Sequence, residues 1–393
     1  MEFMEQPAVT RILFIADPNS LHNQKWIRFF SNQPSNYTVF LLCESPEEPS
    51  AACQHWLSQE NITFLGCLAP FSIRKPLRNT REYRHFLEVT QRFSIDCVHV
   101  LFATPYALWL RKYQGKCVIS TRGSDVLKVL PSLLQQKGIK RMYFAYLFRL
   151  FQKSFAKAHY ITSTSNQQVE GVSRLFACPS LCIRTGVDVR AIETAEALYP
   201  VKVEQRFKLF SPRFVAPIYD TLFQIEGLNQ LDSQELLKIH FLCIRGNNCP
   251  SDYWHLVESG LSALESRGLT WNALDYLDQA QMFQTYKAAD AVLMTPVSDG
   301  TPNSALECMA AGIPLIISDL PYDAELFDNT CLKITNRTPE GLALQLREVM
   351  GGNYPQQCLT NAKERVEKFG NREREMVRLE QSIYGKYIPM KKP

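Results

Sequence analysis

Several features are scarce or missing in this chain of 393 residues. No apolar run reaches the roughly 18 to 20 residues needed to cross a bilayer, and the start, Met1-Glu2-Phe3-Met4-Glu5, lacks the basic-then-apolar order of a secretion leader. The expectation is a cytoplasmic protein. No His/Cys group has zinc-site spacing: the closest cysteine pair, Cys178 and Cys182, has no His or Cys partner nearby. The cysteines, from Cys43 to Cys358, are scattered through apolar segments and read as reduced, buried thiols. No Asp-x-Asp pair stands at a strand end, so no metal or other cofactor is expected. Neither an internal repeat nor a low-complexity segment is present. A net charge of only +4 offers little attraction to nucleic acid. Acidic side chains vanish between Asp125 and Glu170, where Lys128, Lys137, Lys140, Arg141, Arg149, Lys153 and Lys157 all fall, so that half carries a basic region.

What is present is ordinary in proportion. With 46% apolar and 21% charged residues the composition is that of a globular protein, which excludes disorder and fibrous repeats. The length fits two domains and leaves a cleft available between them.

The pattern along the chain is strand, turn, helix, repeated. Residues 11–16 form a short apolar strand, followed by a turn at 17–22 and a helical stretch at 25–30. Residues 37–43, 97–102 and 116–121 supply further strands. After a polar connector at 188–205 the pattern restarts, with strands at 207–210, 239–244, 291–294 and 314–318. Continuous apolar strands separated by helices describe parallel sheets covered on both faces, so the fold class is α/β, two Rossmann-like doubly wound domains. The expected division is residues 1–198, residues 199–370, and a C-terminal stretch, 371–393, packing back across both. That tail, with Glu373, Arg374, Glu375, Arg378 and Glu380 around Met376, Val377, Leu379 and Ile383, reads as a charged surface helix with a narrow apolar stripe. In paired parallel sheets the ligand lies beyond the carboxyl ends of the strands.

The stretch 298–321 is the most informative. Gly300 permits an unusual turn, Thr301 or Asn303 can cap a helix, and Pro302 suits a first helical turn, so Ser304 to Ala311 should be helical. Such a helix start binds a diphosphate well. Asp299 stands before the helix and Glu307 about one turn inside it, a spacing that lets both carboxylates accept hydroxyl hydrogen bonds from one ligand. The alternative is local: Glu307 a cap and Asp299 a turn former.

The segment resembles the donor-binding signature of the retaining glycosyltransferases of family four. There a Glu-x7-Glu pair brackets a Gly-rich turn and precedes a Met-Ala-x-Gly-x-Pro run. Here Asp299 takes the place of the first Glu, Glu307 matches the second, and Met309, Ala310, Gly312 and Pro314 match the run. The resemblance implies a GT-B fold, with Asp299 on the donor sugar, Glu307 on the ribose, and Gly300, Thr301, Pro302, Asn303 and Ser304 lining the donor site. It also implies that Arg213, in the stretch 210–219, reaches the pyrophosphate, a task its forked guanidinium suits. Tyr219 takes the place of a Lys common in the family.

In the first domain Arg122, within 121–125, occupies the family's usual His position, where a cation stabilises the departing phosphate but cannot act as a general base. Asp125 either orients Arg122 or an acceptor hydroxyl, or fixes the turn. Residues 185–188 resemble the turn closing the family's first domain. Asn19, Ser20 and His22 are candidates for the acceptor side.

The implied activity is retaining transfer of a sugar from a UDP- or GDP-sugar to a glycan or lipid-linked acceptor, without a metal. Basic and aromatic residues alternate over 136–158, and a second basic stretch covers 74–84. Either they meet an anionic membrane surface, or the aromatic stripe faces the core under a solvated basic face. Three other readings stay open: a same-fold sugar-nucleotide epimerase, a non-catalytic binding or scaffold protein, and a phosphorylase.

Overall fold

The computed structural model describes residues 9–44, 49–123, 125–138, 140–203, 205–246 and 249–385. The chain divides into two units: residues 1–185 with 375–393, and residues 186–374.

Unit 1 is built on seven strands: β1 (Thr10–Ala16), β2 (Tyr37–Cys43), β3 (Ile62–Cys67), β4 (Cys97–Val100), β5 (Lys116–Thr121), β6 (Tyr160–Ser163) and β7 (Leu181–Cys182). All pair in parallel, in the order β3-β2-β1-β4-β5-β6-β7. β1 and β2 are buried along nearly their whole length, as expected of strands with helices on both faces. One face packs Leu13, Ile15, Phe86 and Trp109; the other packs Phe14, Trp26, Phe30 and Trp56.

Unit 2 carries six strands: β8 (Phe207–Phe214), β9 (Ile239–Ile244), β10 (Thr270–Leu274), β11 (Ala291–Met294), β12 (Leu315–Ser318) and β13 (Leu332–Ile334). They are also parallel, in the order β10-β9-β8-β11-β12-β13. In each sheet the winding direction reverses once, between β1 and β4 in unit 1 and between β8 and β11 in unit 2. The loops leaving those strands diverge there and open a crevice.

The end of the chain belongs to unit 1. Met376, Leu379, Ile383 and Tyr384 join the cluster of Trp26, Ile27, Phe30 and Tyr37. Glu375, read from the sequence as a surface charge, is buried, and its Oε2 accepts the Arg184 N–H at 2.8 Å. Burial raises its carboxyl above the usual range, opposed by that N–H and by Arg378. The Tyr37 hydroxyl donates to Glu380 at 2.6 Å.

His99 is fully buried on β4, with Nδ1 2.7 Å from the Tyr384 hydroxyl and Nε2 2.8 Å from the Ser120 hydroxyl. A neutral imidazole meets both, one nitrogen donating and the other accepting. Burial, assisted by the nearby Arg122 charge, lowers its pKa to about 3.

Gly186 begins unit 2 with φ +66°, and a Cβ there would lie 2.6 Å from the Arg372 Cα. Only glycine fits, because the Val187 N–H donates to the Gly370 carbonyl and the Arg372 N–H to the Val187 carbonyl immediately beside it. Asp188 then caps the helix Val189–Thr194, accepting the Ala191 N–H at 3.0 Å.

The helix Lys140–Lys157 splits along its length. Phe148, Leu150, Phe151 and Phe155 are buried, with Phe155 stacked on Phe176 at 3.9 Å. The first half instead exposes Met142 (80%) and Tyr146 (53%) among Lys140, Arg141 and Arg149. Leu77, on the helix Pro76–Arg92, is 87% exposed. Among the described residues no helix is long and apolar enough to cross a membrane. Of the cysteines, Cys67, Cys178, Cys249 and Cys358 are only half-buried, whereas the other eight are buried as the sequence suggests.

Candidate active site

The loop leaving β11 and the helix that follows supply most of the site. The helix runs Asn303–Ala311, one residue longer than expected at its start. Its N-cap is Pro302, in place of the expected Thr301 or Asn303, and Pro302 makes no side-chain cap bond. Pro302 contributes its carbonyl to the Ala305 and Leu306 N–H groups. At the far end Gly312 adopts φ +74°, where a Cβ would collide with the Lys363 side chain.

Asp299 and Arg213 meet at this helix start. Arg213 stands near the end of β8, and its Nη2 lies 3.4 Å from Asp299 Oδ2. Its Nη1 donates to Ser304 Oγ at 3.5 Å, and the guanidinium lies 4.0 Å from the Tyr219 ring centroid. The side chains keep limited access to solvent, 20% for Arg213 and 18% for Asp299. Gly300 donates its N–H to Asp299 Oδ1 at 2.8 Å, which fixes the carboxylate while Oδ2 stays without a hydrogen-bond partner among the described residues. The contact between Arg213 and Oδ2 is therefore an ion pair by distance, without hydrogen-bond geometry. A carboxylate and a guanidinium brought this close, neither saturated by the other, are suited to share a ligand carrying hydroxyls and phosphate oxygens.

Two buried tyrosines border this pair. The Tyr322 hydroxyl has no hydrogen-bond partner among the described residues, and that of Tyr286 is close enough to Ser304 to be eased by it. Burial raises the Tyr286 pKa, and Glu307 adds to the effect while Arg213 opposes it. Burial raises that of Tyr322 too, with the Asp299 charge as the next cause. Glu307 is half-buried on the helix, and Thr301 Oγ1 donates to Asp323 Oδ2 at 3.5 Å. The sequence brought out Asp299, Arg213, Tyr219, Ser304 and Glu307, but not Tyr286 or Tyr322: Tyr286 lies within the helix Gln279–Ala288 and Tyr322 in the loop after β12, and only three-dimensional placement brings them beside the pair.

Arg337 is a third residue the sequence did not single out. Its Nη2 donates to Asp220 Oδ2 at 2.6 Å and to the Thr295 carbonyl at 3.2 Å, and its Nη1 to the Pro296 carbonyl at 2.9 Å and to Ser318 Oγ at 2.8 Å. Thr295 Oγ1 in turn donates to the Tyr219 or Asp220 carbonyl, each 3.1 Å away, and Val297 N–H donates to the Ile218 carbonyl.

In unit 1 the predicted residues are placed differently. Arg122, just past β5, lies 4.4 Å from the Trp26 ring centroid and donates to the Leu101 carbonyl at 3.1 Å and to Thr185 Oγ1 at 3.0 Å. Burial lowers its pKa to about 10, which leaves it charged at neutral pH; Asp125 and Glu44 oppose the shift. Asp125 is fully buried, and its oxygens accept the N–H groups of Ala103, Arg122, Gly123 and Val126. The carboxylate thus fixes the turn and is out of reach of an acceptor hydroxyl. Burial raises its pKa, opposed by those same N–H groups.

Asn19 faces Asp17 and Ser50: its N–H donates to Asp17 Oδ1 at 2.9 Å, and its Oδ1 accepts the Ser50 hydroxyl at 2.7 Å. Ser20 is the N-cap of the helix Leu21–Ser31 without a side-chain cap bond, and His22 is exposed on its first turn. Asn19, Ser20 and His22 therefore share one loop and helix start beyond β1, while Arg122 and Asp125 follow β5.

Among the described residues no group of three or more His, Cys, Asp or Glu side chains is gathered as a metal site.

Comparison with known proteins bears on the family and the fold. The profile described as glycosyl transferase 4-like matches residues 11–165, and that described as glycosyl transferases group 1 matches residues 214–351. The O-antigen biosynthesis glycosyltransferase WclY of Escherichia coli is 36% identical over 69 residues, 18% of this chain and 19% of that protein. The match thus spans about a fifth of that relative's length. A glycosyltransferase from Rickettsia africae ESF-5 superposes with TM-score 0.74 at 12% identity, covering 97% of this chain and 99% of the other. Anabaena HepE in complex with UDP superposes with TM-score 0.72 at 13% identity, over 96% and 100% of the two chains. At such identities the likeness is one of fold. Together the two profiles, in the order of the two units and over most of the chain, and the paired parallel sheets place this chain in the group 1, 4-like glycosyltransferase family, with the GT-B fold.

Proposed function

We propose that this chain transfers a sugar from a nucleotide diphosphate sugar to a hydroxyl of a glycan or lipid-linked acceptor, with retention at the anomeric carbon and without a metal ion. The observation that carries the reading is the convergence of Arg213, Asp299, Ser304 and Tyr219 at the start of the helix Asn303–Ala311. Unit 2 binds the donor and unit 1 the acceptor. The donor's pyrophosphate takes Arg213 and the helix start, Asp299 Oδ2 accepts from sugar hydroxyls, and Glu307 accepts from the ribose. Thr301 and Asn303 border the phosphates.

The chemistry asked of the protein is charge stabilisation. As the anomeric bond to the diphosphate breaks, negative charge grows on the leaving oxygen, and a fixed cation and helix dipole already face it. The acceptor hydroxyl forms its bond on the face the diphosphate leaves, and its proton passes to the departing phosphate. In unit 1 Arg122 anchors the acceptor-side strand ends. That UDP and UDP-glucose are bound by Anabaena HepE supports a uridine donor here.

The exposed Met142, Tyr146 and Leu77, set among Arg74, Lys75, Lys140 and Arg141, support peripheral contact with an anionic membrane on the cytoplasmic face.

A thermal-shift screen with uridine and guanosine diphosphates tests the donor site, because a ligand that binds the native state raises the melting temperature. A panel of radiolabelled nucleotide sugars with a membrane extract then separates transfer from interconversion, phosphorolysis and inactivity. Loss of activity in a chelator would overturn metal independence, and failure to sediment with anionic liposomes at low salt would overturn the membrane contact.

A further inference from the structure

Arg337 is neither at the helix start nor in contact with Arg213 by any bond described above, yet it is bonded to both loops that form the site. The loop after β8 ends in Tyr219 and Asp220; the loop after β11 runs from Thr295 to Asp299. Asp220 Oδ2 accepts from Arg337 Nη2 at 2.6 Å while its Oδ1 accepts the Phe223 N–H at 3.4 Å, so one carboxylate joins the guanidinium to the start of the helix Thr221–Asn229. The same guanidinium takes the carbonyls of Thr295 and Pro296 at the root of the second loop, and Ser318 at the end of β12.

The backbone is shaped to present it. Asn336 and Arg337 have φ of +60° and +43°, and Asp220 has φ of +49°, so both ends of the ion pair sit in the left-handed region that non-glycine residues adopt at a cost. Four hydrogen bonds and a Phe223 ring 4.9 Å from the guanidinium carbon hold the head in place. An arginine suits this because its planar fork satisfies several acceptors at once, which a lysine ammonium on a flexible stem does not.

We propose that Arg337 is the positioning residue of the donor site: it locks the loop carrying Tyr219 against the loop carrying Asp299, so that Arg213 is held between them. It touches no reacting atom. This rests on the reading that unit 2 binds a nucleotide diphosphate sugar, but its effect on the two loops is independent of any ligand.

The test uses the full chain as wild type, Arg337→Lys and Asp220→Asn, with melting temperatures measured for each. Hydrogen–deuterium exchange should rise in residues 216–220 and 295–301 together in both variants, while β8, β11 and β12 stay protected. Uridine and guanosine diphosphate are titrated calorimetrically in the same samples. Whichever wild type binds should bind the variants about 10- to 100-fold more weakly, the scale set by misplacing a site from a distance. In transfer assays the donor KM should rise with the acceptor KM unchanged, a split that general destabilisation does not produce. Exchange confined to residues 335–338, exchange raised throughout unit 2, or unchanged affinity in a wild type that does bind would each overturn the proposal. If wild type binds neither diphosphate, the donor reading fails, and the exchange pattern alone decides the role of Arg337.

Discussion

Arg122 and Arg213 are two arginines near the carboxyl ends of two similar sheets, and their surroundings set them apart. Arg122 is held by a backbone carbonyl, a threonine hydroxyl and an indole face, and the neighbouring carboxylate of Asp125 is fully taken up by four backbone N–H groups. Arg213 has a loose ion pair at 3.4 Å, a long hydrogen bond at 3.5 Å and a tyrosine ring. Two hydrogen bonds near 3 Å fix Arg122, though its Nη2 has no partner among the described residues, whereas Arg213 has one long hydrogen bond and keeps 20% of its side-chain surface open. The same residue type, just past β5 in one sheet and near the end of β8 in the other, is thus held firmly in one place and loosely in the other.

The sharpest way to break this comparison is Arg213→Met. Transfer should fall about 10²- to 10³-fold, the usual loss when one preorganised charge-stabilising donor is removed, with little change in melting temperature. Steady-state rates with the labelled donor identified by screening check it, and an activity loss under threefold would remove Arg213 from the site.

Arg122→Met should behave in the opposite sense. It leaves the Leu101 carbonyl and Thr185 hydroxyl without their partner, so unfolding in urea should show a loss of about 1 to 3 kcal/mol. Calorimetric affinity for nucleotide diphosphate, which the proposed function assigns to unit 2, should stay within twofold. A reversal of the two outcomes would exchange the roles of the arginines.

A third experiment reads the pH dependence of unit 1. The folded pKa of His99, about 3, lies below the ordinary 6.5. The neutral ring is thus favoured in the fold: its contribution is fully present above pH 6.5 and is lost progressively as pH falls from 6.5 towards 3. Urea midpoints over that window should fall less steeply in His99→Gln than in wild type. His240 in unit 2, lowered to about 4 chiefly by burial, provides the matching measurement there through His240→Gln.

The smallest effect is expected from Tyr384→Phe, which removes the hydroxyl beside His99 and should cost about 1 kcal/mol in the same urea experiment. A cost near zero would show that the imidazole finds another partner.

Most of the fold was legible because the signals are local. Buried parallel strands are continuous apolar runs, and the stretches at 37–43, 116–121 and 239–244 coincide with β2, β5 and β9. Strands β3, β6, β7, β10 and β13 were not read: the last four have only two to five residues and so carry little periodicity, and β3 has no fully buried residue to mark it. For the site, spacing around Asp299 and Glu307 was enough to locate the helix start, but not to see that Pro302 is its cap. Asp125 shows the limit in another way. A carboxylate after a strand reads equally as a ligand group or a turn former, and only burial decides. Arg337 had no legible signal, because its partners Asp220, Thr295, Pro296 and Ser318 are spread over a hundred residues of sequence.

The return of the chain end into unit 1 has a consequence for biosynthesis. Met376, Leu379, Ile383 and Tyr384 complete the hydrophobic cluster around Trp26 and Phe30, and they are made after all of unit 2. Until those residues emerge from the ribosome, the apolar flank around Trp26 and Phe30 is without the four side chains that cover it. The hydrophobic cluster of the first-made half is thus completed by nearly the last residues to be made.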